Sequence, residues 1–496
     1  MVIRLENAIW DRLQEDWDKP VLWWSEEWWT GQKLGELTIE CKKKLEDEGF
    51  GKGHRLAVMM PNSPMVLALS LAVWSLGGAI VPINTKAGVP TSIGILELVD
   101  PFAVVLGAEM EDLEQALTEH SLTWCLSPLD APFTAIAGRP SLAGKEDLAV
   151  IFATSGTTGL PKAVPLSHGN LMHNAQTVFK ELTELKEGDI LLNVLPNFHS
   201  FGFTVAGLMP LICGMKQTVL PSFMPPHKTL ETICVSQTNV LIIVPTMLTF
   251  LTSSIDHGAP CPKGVKLIVS GGDRLNVQLD KKVKDYFGVG ALEGYGLTEC
   301  SPVVCVNPSY ERRKLGTVGP FISGYEWRLT NEAKEDVTLK REGILWVRGA
   351  SVTSEYFRDP DKSADRFDGD WFNTGDYVRI DNEGYVQILD RVTDIIIVGG
   401  FNVYPQEVEA ILQTHPAVEQ AIVVGIPHQV NGEVPKAFVK KTQGMDLTQR
   451  EVIEFCKKHL AHYKVPRSVE FMDTFPLSNT GKVLRRLLKK EACTRS

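Results

Sequence analysis

The stretch HRLAVMMPNSPMVLALSLAVWSLGGAIVPIN, residues 54–84, restricts the fold more than any other part of the chain. It reads as a strand, a long apolar helix, glycines at the helix C-terminal end and a second strand. Two strands joined by a crossover helix are parallel members of one sheet, so this is a βαβ unit. Similar units recur around ILLNVLPN (190–197), VLIIVPTMLTFL (240–251) and KLIVSGGDRL (266–275). The expected class is α/β, with doubly wound sheets in a large N-terminal body. At 496 residues the chain is too long for one core, and a second domain is expected.

The texture changes after Gly343. Short strands and turns (GILWVRG, WFNTGDYVRIDNEGYVQILDR) predict a β-rich subdomain over about 315–390. Beyond Arg391, strands alternate with helices (IIIVGG, PQEVEAILQTH, VEQAIVVGIP, KAFVKK, TQREVIEFCKKHL), which predicts a compact α+β C-terminal piece. Near the start, VLWWSEEWWTGQKL reads as two strands around a Ser25-Glu26-Glu27 turn, followed by the helical pattern LGELTIECKKKLEDEGF. Four tryptophans in seven residues fit hairpin packing better than a membrane or sugar surface.

Composition excludes several classes. With 44% apolar residues and no uninterrupted apolar span of about 18, a transmembrane helix is not expected. The acidic start MVIRLENAIWDRLQ does not resemble a signal peptide, and nine scattered cysteines without a CxxC pair predict reduced thiols, no structural zinc and a cytoplasmic location. The net charge of −10 argues against nucleic acid as a partner. It conceals an asymmetry, since residues 391–496 carry about +4 and the first 390 about −14.

Behind the apolar run Leu148–Phe152 stands ATSGTTGLPKAVPLSHGN, residues 153–170. Gly156 and Gly159 let backbone approach an anion, and the hydroxyls of Thr154, Ser155, Thr157 and Thr158 can donate to its oxygens, with Lys162 adding charge at the rim. The loop does not fit GxxxxGK[ST], because Pro161 precedes the lysine and Ala163 replaces the metal-binding hydroxyl. Phosphoryl transfer of the P-loop kind is therefore disfavoured.

With the motifs downstream, TSGTTGLPKAV resembles the adenylate-forming superfamily of acyl-CoA synthetases, nonribosomal-peptide adenylation domains and luciferases, most like a bacterial fatty acid ligase. The resemblance runs in order from HRLAVMMPNSP to NTGKVLRR. It implies that the loop handles the β- and γ-phosphates of ATP while a carboxylate attacks the α-phosphorus. In LEGYGLTECSP it implies that Tyr295 offers a flat face to adenine between Gly294 and Gly296, that Thr298 bonds the α-phosphate and that Glu299, with Thr154, ligates Mg2+. In SGGDRL it places backbone at Gly271, Gly272 and Asp273 beside the adenine and the acyl carbonyl. It gives Asp376 to the ribose, Arg391 to the ribose or phosphates, and Lys482 to the α-phosphate as the catalytic cation. The resemblance also implies a lid that rotates about a residue two places after the motif arginine. Here that is Thr393, where many members have Asp or Lys. The expected layout is a domain over 1–390, a hinge at 391–393 and a lid over 394–496, with Gly399 and Gly400 leaving room for a pantetheine arm.

LPNFHSFGFTVAGLMPLICG, residues 195–214, matches the family's acyl wall. His199 stands where amino-acid-activating relatives carry an aspartate, so an amino acid substrate is not expected. Phe198, Phe201 and Phe203 make the wall apolar, and Phe203 lies where some long-chain enzymes gate the acyl tunnel. A medium- or long-chain fatty acid is the favoured substrate and CoA the favoured acceptor. Arg485, Arg486, Lys489 and Lys490 would suit CoA phosphates or an acidic acyl carrier protein equally. An aryl-CoA ligase, an acyl carrier protein ligase, a luciferase-like oxygenase and a non-catalytic binding protein are the competing readings. Peripheral membrane contact and homo-oligomerisation stay open.

Overall fold

The computed structural model describes residues 4–133, 136, 138, 139, 147–154, 162–428, 431–477 and 483–494. The chain divides into two compact units, residues 1–326 with 347–372, and residues 327–346 with 373–496. The α/β class with a large N-terminal part and a small C-terminal α+β part is as the sequence implies.

Two sheets build the larger unit. The first runs 303–306, 292–296, 267–271, 240–243, 190–193, 216–219, 20–24, 27–30. Its six central strands are parallel, and an antiparallel strand closes each edge. The second runs 124–126, 103–106, 55–59, 79–82, 148–154, 162–167, parallel up to an antiparallel pair formed by its last two strands. The βαβ reading of 54–84 becomes strand Arg55–Met59, helix Pro64–Ser75 and strand Ala79–Pro82. Ser63 caps that helix by accepting from the Val66 N–H, and Pro64 occupies its first turn, where the missing N–H has no partner to lose. The helix is buried on all sides, which is why its sequence shows no polar face.

The tryptophan hairpin forms as Pro20–Trp24 and Glu27–Thr30, with Ser25 and Glu26 at positive φ in the tight turn. Trp24 and Trp29 face inward, with Trp24 Nε1 donating to Asp130 at 2.9 Å. Trp23 and Trp28 meet edge-to-face across the strands at 5.5 Å.

One aromatic knot joins the second sheet to the segment after residue 200. Trp74 donates its indole N–H to the Ala149 carbonyl at 2.8 Å and meets the Phe203 ring edge-on at 6.3 Å, while Phe203 meets Phe152 at 5.5 Å. That segment, Phe201–Leu208, is a π-helix continuing into Met209–Ile212, and the strand and helix periods gave no sign of it.

Four buried amides tie the carboxyl ends of the two sheets together. Asn62 follows a strand of the second sheet, whereas Asn193 and Gln217 lie in strands of the first. Asn62 donates to the Leu195 carbonyl (2.8 Å) and accepts from the Asn197 N–H (2.7 Å). Asn197 donates to Asn193 Oδ1 (3.0 Å), Asn193 to Gln217 (2.8 Å), and Gln217 to the Gly207 carbonyl of the π-helix (3.2 Å).

A five-stranded sheet has the order 325–330, 342–349, 371–380, 367–368, with 386–391 also paired to 371–380. The smaller unit holds a further sheet, 401–403, 396–398, 432–441, 418–428, with 468–471 beside 432–441. Helices Pro405–Leu412, Gln449–His459 and Arg485–Thr494 accompany it. Among the described residues no helix is long and apolar enough to cross a membrane, and all nine cysteines are free.

Trp74→Ala should destabilise the larger unit by about 3–5 kcal/mol, from lost burial plus the cavity it leaves. A urea titration followed by tryptophan fluorescence measures this; a loss under about 1 kcal/mol would show that the knot does not carry the packing.

Candidate functional site

Strand Leu148–Thr154 and strand Lys162–Ser167 pair in antiparallel register with Thr154 opposite Lys162. The ends of the loop are thereby fixed; Ser155, Gly156, Thr157, Thr158 and Gly159 lie outside the described residues. The Lys162 ammonium sits 4.7 Å from the centre of the Tyr356 ring. Burial lowers its pKa, reinforced by Arg366 and opposed by Glu299.

Strand Leu292–Gly296 leads into a one-turn 3-10 helix, Thr298–Cys300. Thr298 and Glu299 are both buried. Tyr356 donates its hydroxyl to Glu299 Oε1 at 2.8 Å, and burial followed by the Glu299 charge pushes the phenol pKa up. Ser200 donates to Thr298 Oγ1 at 3.2 Å, which brings the residue after His199 onto the same turn. His199 begins the bend into the π-helix, its carbonyl accepting from Phe203 N–H at 2.9 Å and its Nδ1 lying 3.3 Å from Phe201 N. Phe203 itself belongs to the aromatic knot and is buried.

The glycines have steric reasons. Gly271 and Gly294 are partners on adjacent parallel strands, and a Cβ on Gly271 would come within 3.0 Å of the Phe201 ring. A Cβ on Gly296 would stand 2.1 Å from the Pro302 carbonyl oxygen, so only glycine fits there. Gly272 has φ near +82°, and the exposed Asp273 accepts from Arg274 N at 2.7 Å. Tyr295 is half-buried in the strand opposite Cys305.

In the smaller unit Asp376 and Arg391 are cross-strand partners. Arg391 Nε lies 2.8 Å from Asp376 Oδ1, with the carboxylate 3% and the arginine 53% exposed. Two of the expected ribose groups therefore form an ion pair. Thr393 is exposed in the turn that follows. Gly399 and Gly400, at φ of 56° and 87°, make the exposed two-residue turn between Ile396–Val398 and Phe401–Val403. Lys482 lies outside the described residues; next to it, Leu477 bridges Val483, and Arg485 opens the last helix.

The sequence left Ser200, Tyr356, Asp390 and Glu409 unremarked. Buried Glu409 takes a bidentate pairing from Arg485, with Nη2–Oε2 at 2.7 Å, and also accepts from Val423 N at 2.6 Å. Lys489 pairs with Glu433 at 3.0 Å. Two of the four cations expected to meet CoA or a carrier protein are thus engaged within their own unit, because the helix docks through them. Asp390, wholly buried beside Arg391, accepts from Gln406 N and Arg391 N at 3.1 and 2.9 Å. Burial pushes its carboxyl up to about 7, against the pull of Arg485 and with the push of Glu409.

No cluster of three or more His, Cys, Asp or Glu suited to a metal exists among the described residues. The oxygen donors Thr154 and Glu299 nonetheless fit a hard cation held mainly by nucleotide phosphates, since Mg2+ commonly takes one or two protein oxygens there.

Asp390 predicts a pH effect. Between about pH 4 and 7 the folded chain holds the proton that the unfolded chain has lost, so this group lowers stability as pH rises and adds no slope above. Asp390→Asn should gain melting temperature relative to the unsubstituted protein from pH 5 to 7.5. Parallel melting curves across that range would contradict the assignment.

Similarity to known proteins agrees with this arrangement. Residues 9–357 match the AMP-binding enzyme family and residues 407–482 the AMP-binding enzyme C-terminal domain. The chain is 30% identical to the long-chain-fatty-acid–CoA ligase of Bacillus subtilis strain 168, over 90% of this chain and 87% of that protein. It is 32% identical to the 2-succinylbenzoate–CoA ligase of Geobacillus, over 93% and 92%. The crystal structure of ATP-bound MatB from Rhodopseudomonas palustris superposes with a TM-score of 0.87 at 29% identity, over 99% of both chains. With these matches over both of its parts, the chain belongs to the AMP-binding, adenylate-forming enzyme family.

Proposed function

We propose that the protein is an AMP-forming acid–thiol ligase. An acid carboxylate oxygen attacks the α-phosphorus of ATP, the bond to the β-phosphate oxygen breaks, and pyrophosphate leaves. A thiolate then attacks the acyl carbon of the mixed anhydride, and AMP departs with the carboxyl oxygen. The observation that carries this reading is the buried Thr298-Glu299 turn beside Lys162 at the mouth of the Thr154 loop. Thr298 contacts the α-phosphate and Lys162 the outgoing phosphates, and Glu299 with Thr154 would hold a Mg2+ ion, whose charge would offset that of the phosphates. Asp376 receives the ribose, with Arg391 beside it, and Tyr295 stacks on the adenine. Lys482 supplies the cation at the α-phosphate, and Thr393 is the hinge between the two half-reactions.

His199 and the glycine floor at Gly271 and Gly296 border the acid, and Gly399 and Gly400 border the thiol arm. A medium- or long-chain fatty acid and CoA are the preferred substrates, supported by the relative named for long-chain fatty acids. An aryl acid is the second reading, favoured by the equally similar relatives named for 2-succinylbenzoate and, at 31% identity in Amycolatopsis, feruloyl-CoA synthase. Engagement of Arg485 and Lys489 by Glu409 and Glu433 weakens the case for a carrier protein docked on the last helix.

Two measurements test the reading. Lys482→Ala should lower acid-dependent pyrophosphate release by about 100-fold or more while thioester formation from supplied acyl-adenylate persists; unchanged release would refute the role. AMP formation with fatty and aryl acids, each with CoA or holo acyl carrier protein, assigns acid and acceptor. No acid-dependent AMP with any pair would sink the proposal.

A further inference from the structure

Tyr356 lies between two opposite charges of the site. Its ring carries the Lys162 ammonium at 4.7 Å, and its hydroxyl donates to Glu299 Oε1 at 2.8 Å. Neither Lys162 nor Glu299 makes an ion pair among the described residues, although the Glu299 charge acts on the lysine. An ammonium and a buried carboxylate attract one another strongly in a poorly solvating site. The Tyr356 side chain touches both and stands between them. The tyrosine is rigid: its N–H donates to Ser363 Oγ at 2.9 Å, and its ring packs edge-on against Phe367 at 6.0 Å. Its segment is stitched to both charged elements. Thr353 N donates to the Glu299 carbonyl and Phe357 N to the Ala163 carbonyl, each at 2.8 Å, while Thr353 Oγ1 donates to the Pro165 carbonyl at 2.6 Å.

We propose that Tyr356 is a positioning residue that prevents Lys162 and Glu299 from neutralising each other, so that the ammonium stays available to phosphate oxygens and the carboxylate to a divalent cation. The inference rests on the adenylation reading for the identity of those ligands. The two functions of the side chain are separable: the hydroxyl fixes the carboxylate, and the ring holds the ammonium.

The test measures Mn2+ binding by electron paramagnetic resonance in the presence of α,β-methylene-ATP, which cannot turn over. Tyr356→Phe keeps the ring and removes the donor. It should weaken Mn2+ about ten-fold, with affinity for the ATP analogue at saturating Mn2+ kept within two-fold. Tyr356→Leu removes both functions and should weaken both ligands. In a Glu299→Gln background, Tyr356→Phe should have no further effect on Mn2+, and this double-mutant comparison cancels any general loss of folding. Unchanged Mn2+ binding in Tyr356→Phe, an equal loss for metal and nucleotide, or additive losses in the double variant would overturn the proposal. Failure of the adenylation reading shows separately, as absence of acid-dependent pyrophosphate release from the unsubstituted enzyme.

Discussion

The amide cluster of Asn62, Asn193, Asn197 and Gln217 fixes where the site can be. These side chains are buried, and an amide left without its partner inside a protein costs about 1–3 kcal/mol. Their bonds hold the Leu195–Asn197 turn to the end of one sheet and the Gly207 carbonyl to another strand. The π-helix spans the interval between those two anchors. Its start brings Ser200 to Thr298 and the Phe201 ring over Gly271, so the segment after His199 takes its place from a polar cluster. Parallel sheets gather their strand carboxyl ends on one side, which is where such clefts form.

Both units pair opposite charges, as Arg313 with Asp280 in the larger one. In the smaller one, opposite charges are paired: Asp376 with Arg391, Glu409 with Arg485. Breaking either pair would leave a buried carboxylate uncompensated, which makes them fixtures of that unit's architecture. At the end of the Thr154–Lys162 loop, the Lys162 ammonium lies over the Tyr356 ring, whose hydroxyl binds Glu299. Pairing serves the scaffold, and separation preserves charges for a ligand.

Much of this was legible in the sequence because the relevant signals are local. Short apolar runs around a glycine-ended helix predicted the parallel units, and the Ser25-Glu26-Glu27 turn between tryptophan pairs predicted the hairpin. Ser155–Gly159 and Lys482 fall outside the described residues, so their roles stand on the resemblance. The π-helix was not legible, because 201–208 is apolar throughout and has no periodicity to distinguish it from an α-helix. Tyr356 and Asp390 escaped notice for another reason. Each acts through a partner distant in sequence or through burial, and neither is encoded in neighbouring residues. Arg485 misled in the opposite direction: a basic run looks solvent-facing until Glu409, 76 residues earlier, is found beneath it.

The turn after Arg391 has an energetic reading of its own. The Arg391 carbonyl accepts from both Asp394 N and Ile395 N, at 2.9 and 3.2 Å, and Val392 N donates to the Gly375 carbonyl at 2.9 Å. Thr393 is enclosed by the first two bonds, and its own side chain is exposed. A change of backbone dihedrals at that residue would break those two bonds. At about 0.5–1.5 kcal/mol net for each bond, the two would favour the closed turn about 5- to 160-fold. Two bonds of that size favour the described conformation of the turn without locking it.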